Sequence, residues 1–101
     1  TVQNRVMIAL GTVDSCGVHP RDVFRAAIIE NATSIILVHN HPSGEATASA
    51  EDVSITRRLV EGGKILGIGV IDSIIIGQKT QDRAGHTSMR EQGLVTFTGV
   101  I

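Results

Sequence analysis

The sequence predicts an α/β domain, a central mixed β-sheet with two main helices packed on it. Three observations support this. Short β-branched apolar runs recur along the chain, as in Ser34-Ile35-Ile36-Leu37-Val38 and Ile74-Ile75-Ile76. Between them lie two stretches with apolar residues at helical spacing, each opened by helix-start residues. Strand, helix, strand, helix, strand in that order builds a sheet covered by helices.

The first strand is expected over residues 4–13, around Val6-Met7-Ile8-Ala9-Leu10, before a turn cluster at Asp14-Ser15-Cys16-Gly17. His19-Pro20-Arg21-Asp22 then opens a helix, with Pro at its first position and an acid in its first turn. Val23, Phe24, Ala27 and Ile28 form its apolar stripe, and Asn31 is its expected C-cap. The uninterrupted run 34–38 reads as a strand buried on both faces. A polar loop with Pro42 and Gly44 leads to a second helix starting at Ser49, with Ile55, Leu59 and Leu66 on its buried face. Gly62-Gly63 is expected to end or fray that helix early. Val70-Ile71 and Ile74 to Ile76 make another buried strand, residues 78–87 a polar loop, and Leu94-Val95-Thr96-Phe97 a last strand.

Composition narrows the function. The chain has 101 residues, room for one domain, and its only aromatics are Phe24 and Phe97, so its core is aliphatic. Nine basic and ten acidic side chains give a net charge of −1, with no basic stripe of the kind that holds nucleic acid phosphates. The only basic pair, Arg57-Arg58, reads as a solvated helix face. A single cysteine, Cys16, excludes an internal disulfide and Cys-rich zinc ribbons, and a reducing, cytoplasmic setting is expected. No apolar run is long enough to span a membrane. Thr1 in place of an initiator Met leads us to expect a fragment of a longer protein.

The chemistry concentrates after the second strand. His39 and His41 are one residue apart, and strand alternation points them to the same side, where two imidazoles can share a metal ion. A catalytic zinc needs a third protein ligand and one open position, and Asp52, at the start of the second helix, can supply the ligand. Ser49-Ala50-Glu51-Asp52 also reads as a capping box, so cap and ligand are both open for Asp52. His19 and His86 are read as ordinary surface or core histidines. A nucleobase deaminase would need a Pro-Cys-x-x-Cys, and a His-x-His amidohydrolase a barrel of roughly 250 residues. Neither fits this chain, which also lacks phosphate-loop and dinucleotide fingerprints.

His39-x-His41, seven residues, Ser49, two residues, Asp52 resembles the JAMM motif of the JAB/MPN-type metalloproteases. Val38 to Gly44 (VHNHPSG), Gly11 to Ser15, His19-Pro20-Arg21, Thr56 to Leu59, Ile74 to Gly77 and Ser88 to Glu91 resemble its RadC-like branch. That resemblance implies a JAB/MPN, cytidine-deaminase-like fold over the whole chain. It also implies Zn2+ held by His39, His41 and Asp52, with Ser49 orienting water or stabilising an oxyanion. The implied reaction is hydrolysis of a peptide or isopeptide amide in a peptide or protein substrate. The alternative it carries is a non-catalytic zinc domain that binds a partner in DNA repair.

Two departures from the branch stand out. Its general base is a glutamate on the early strand, yet residues 1–10 contain no Asp or Glu. Glu45, in the loop after His41, is the best-placed substitute. Where the branch has Asp-His this chain has Asp72-Ser73, which predicts a missing contact behind the metal ligands.

Overall fold

A computed structural model describes residues 5–12, 19–41, 46–78 and 85–97. Glu45, Cys16 and the expected turn at 14–17 lie outside the described residues. The elements are β1 (Val6–Thr12), α1 (Pro20–Ile29), β2 (Ser34–Asn40), α2 (Ala50–Leu66), β3 (Gly69–Ile76) and β4 (His86–Ser88). The sheet runs β1-β2-β3-β4, with the first three strands parallel and β4 antiparallel to β3. The α/β architecture with a mixed sheet and two helices is therefore as predicted.

Each parallel pair is joined through a helix, and the strand order advances one step each time. Right-handed crossovers that step in the same direction place both helices on one face of the sheet. The packing agrees, because a Cβ added at Gly62 of α2 would come within 2.9 Å of the Phe24 ring of α1. Between helices and sheet lies one aliphatic core that includes Val23, Phe24, Ala27, Ile35, Leu37, Leu59, Val70, Ile75 and Met89.

One-sided cover corrects the expectation that β2 is buried on both faces. Ile35, Leu37 and His39 point into the core and are fully buried, whereas Ile36 and Val38 on the other face are only half-buried. On β1 the same alternation leaves Ile8 61% exposed.

Helix ends differ from expectation in instructive ways. α1 starts at Pro20, but Glu30 is its C-cap, and Asn31 takes the left-handed conformation just beyond, at φ 55°. Ile28, expected in the stripe, is 55% exposed. α2 runs straight through Gly62-Gly63 to Leu66 and ends on Gly67 at φ 75°. The two glycines are there for close approach. A Cβ at Gly63 would collide with the carbonyl oxygen of Ile68, where the chain turns into β3. Leu59 is buried as expected and Ile55 half-buried, but Leu66 is 49% exposed in the last turn.

The C-terminal third departs most. Residues 86 and 87, expected in a loop, belong to β4, while 94–97, expected as a strand, form none. The reason is an anchored turn. The Asp72 carboxylate accepts hydrogen bonds from Ser73 N, Arg90 N and Ser88 Oγ, and Arg90 donates to the Ile71 carbonyl. This seats Met89 fully in the core, and the chain then turns again, with Leu94 N on the Met89 carbonyl. Val95 and Phe97 pack on the core without joining the sheet.

Candidate functional site

In a parallel sheet, ligand sites form beyond the carboxyl ends of the strands. β2 ends there in His39 and Asn40, and its register sets His39 between Gly11 of β1 and Ile75 of β3. His39 faces the helices and is fully buried. His41 follows two residues later, half-buried, its backbone N–H bonded to the Ile76 carbonyl at 3.1 Å.

α2 begins at the same end. Its N-cap is Ser49, whose Oγ accepts from Asp52 N at 3.1 Å, while Asp52 Oδ2 accepts from Ser49 N at 2.8 Å. The capping box read from the sequence is present. It does not use up the carboxylate. Asp52 is fully buried, and its Oδ2 also lies 3.0 Å from His41 Nε2, so cap and histidine partner are one group.

Among the described residues, two buried atoms in this cluster have no hydrogen-bond partner, Nδ1 of His39 and Oδ1 of Asp52. A buried orphan costs about 1–3 kcal/mol, so such atoms call for a reason. An imidazole nitrogen and a carboxylate oxygen are donors that zinc takes, and the helix N-terminus tolerates the negative charge. In donor chemistry the residues fit a zinc ion. Among the described residues, however, no three His, Cys, Asp or Glu side chains stand as a metal-holding group. For His41 Nε2 to bind an ion, its hydrogen bond to Asp52 Oδ2 would have to open.

Burial pushes the pKa of His39 below its ordinary value, and neighbouring His41 pushes the same way, while Asp52 pulls it partly back. His39 is thus held neutral, the form that ligates metals.

Among the expected residues, His41, Ser49 and Asp52 are joined by hydrogen bonds, and His39 lies near enough to His41 and Asp52 for both to act on its pKa. Ser49 sits exposed at the rim, and Glu45 lies outside the described residues. His19 and His86 are exposed, in front of α1 and in β4, and bond to none of the four.

The contact expected to be missing at Ser73 is made. Ser73 Oγ lies 2.9 Å from His39 Nε2, and Thr56 Oγ1 donates to Ser73 Oγ at 3.1 Å. Both hydroxyl residues are fully buried. Sequence reading gave Thr56 no role in the site, although it lies one helical turn after Asp52 and so shares its face of α2.

The family model of the RadC-like JAB domain matches residues 1–94. A UPF0758 protein of Caldanaerobacter subterraneus subsp. tengcongensis is 51% identical over 100 residues, covering 95% of this chain and 41% of that protein. A UPF0758 protein of Symbiobacterium thermophilum is 49% identical, covering 88% of this chain and 36% of its own length. One from Methanococcoides burtonii is 46% identical, with 89% and 37% covered. The chain thus spans only about two-fifths of the length of these curated relatives. Matched nearly end to end by that family model, and about half identical to such relatives, the chain belongs to the RadC-like JAB domain family.

Proposed function

We propose that this domain is a zinc-dependent hydrolase of peptide or isopeptide amide bonds, with zinc held by His39, His41 and Asp52. The observation that carries the reading is the pair of buried, partnerless donors, Nδ1 of His39 and Oδ1 of Asp52, beside the imidazole of His41. When bound, zinc would supply Lewis acidity, polarising an amide carbonyl and lowering the pKa of water towards about 7.

The chain's own residues would do the rest. Asp52 brings the negative charge, held in place by its bond to Ser49 N. Ser49 Oγ accepts from Asp52 N, which leaves its own proton to donate to an oxygen gaining negative charge. His39 stays neutral through burial and is ready to ligate without first losing a proton. Glu45 is proposed as the general base, because it is the acid closest in sequence after His41. The substrate would be a peptide or protein, in a cytoplasmic setting.

A second reading has one observation in its favour. Residues 1–10 contain no acid to serve as the family's base, which suits a zinc domain that binds a partner, in DNA repair, without catalysis. Assay of the domain on peptide and isopeptide substrates separates the two. Weak turnover that needs zinc and vanishes in His41→Ala supports the hydrolase, while turnover unchanged in His41→Ala contradicts it. Bound zinc with no turnover on any substrate favours the binding module.

A further inference from the structure

We propose that Ser73, backed by Thr56, is a positioning residue for His39: it accepts the Nε2–H of the ring and leaves the lone pair of Nδ1 for the metal. The inference rests on reading His39 as a ligand. Ser73 sits on β3 opposite Leu37, on the helix-covered face, and Thr56 reaches it from α2. All three side chains are fully buried, so water does not compete for these bonds.

The Ser73 backbone is fixed at both ends, its N–H on Asp72 Oδ1 at 2.7 Å and its carbonyl accepting from Met89 N at 2.9 Å. The hydroxyl therefore projects from a rigid point. Its oxygen has two lone pairs and can accept from Thr56 at 3.1 Å and from His39 at 2.9 Å together. A neutral imidazole carries one N–H. Placed on Nε2, that proton has the Ser73 oxygen as acceptor; placed on Nδ1, it has no partner among the described residues, and Ser73 would have to donate to Nε2 instead. The Nε2–H form thus satisfies the proton and turns the orphan at Nδ1 into a bare lone pair, which is what an ion takes. A group behind a metal-bound histidine commonly sets ring and tautomer in this way.

Long-range proton–nitrogen NMR on the metal-free domain reads the tautomer directly, with His39 assigned by loss of its signals in His39→Gln. Wild type should show the Nε2–H form. Ser73→Ala should raise the Nδ1–H population and weaken zinc binding by about 10–100-fold in chelator competition. Ser73→Thr, which keeps the hydroxyl, should preserve both, and Thr56→Val should move both in the same direction by less. If Ser73→Ala does not fold, the Thr56→Val and Ser73→Thr pair decides. A Nδ1–H tautomer in wild type overturns the positioning role, as does a tautomer and affinity indifferent to Ser73→Ala. A Nε2–H wild type that binds no zinc contradicts only the metal reading.

Discussion

His41 Nε2 and Asp52 Oδ2, from residues eleven apart in sequence, lie 3.0 Å apart, and the same oxygen caps α2 through Ser49 N. The bond ties the carboxyl end of β2 to the start of α2. It also makes the cap and the candidate metal ligand one carboxylate, so the two roles must be separated by a substitution that spares one of them.

Asp52→Asn does so. The amide oxygen keeps the cap, so the domain should lose about 1 kcal/mol or less in denaturant unfolding. Zinc affinity should still drop at least tenfold, because the anionic donor is gone. A loss of stability with unchanged zinc affinity would reduce Asp52 to a cap.

The depressed pKa of His39 predicts how stability follows pH in the metal-free domain. The unfolded chain takes up the His39 proton around pH 6.5, while the folded ring resists it to lower pH. Between those two values the unfolded state binds more protons, so stability falls as pH falls. The contribution is fully present above about 6.5 and is lost as pH drops through the folded value. His39→Gln should flatten the curve in that window. Equal slopes for both proteins would show that His39 is not held neutral by the fold.

Two adjacent glycines should answer differently to alanine. Gly63→Ala sets a methyl against the Ile68 carbonyl, a backbone atom with little room to give, and should cost about 1–3 kcal/mol despite alanine's better helix propensity. Gly62→Ala meets only the edge of the Phe24 ring, which can shift, and should be close to neutral. Urea midpoints compare them, and equal effects would contradict the close approach of α2 to β3.

Those glycines also show where the sequence was legible. Period and caps located β1, both helix starts, β2 and β3; strand alternation paired His39 with His41, the capping box linked Ser49 to Asp52, and the resemblance joined the two pairs. What it hid depends on tertiary packing. Gly62-Gly63 looks like a helix stop until the Phe24 ring and the Ile68 carbonyl are placed against it. The run 34–38 looks buried on both faces because local pattern does not say that both crossovers put their helices on one side. Ser73 looked like a lost contact because only the fold brings Thr56 and His39 to its hydroxyl.

The missing early acid can be tested by restoring one. Glu introduced singly at each position from 5 to 10 should raise peptidase turnover only at positions of one parity, since successive strand residues face opposite ways. The gain expected from a general base is about 10²–10⁴-fold. It should disappear again on adding His41→Ala. Rapid turnover by the unaltered domain, silenced by Glu45→Gln, would instead show that Glu45 fully replaces the early acid.

Metal analysis of the purified domain tests the central claim most directly. The account predicts about one equivalent of zinc per chain after loading and dialysis, falling to near zero in His39→Ala and in His41→Ala. Both variants should remain folded by circular dichroism. Zinc stoichiometry unchanged in folded His39→Ala, or no zinc retained by the wild-type domain, would contradict it.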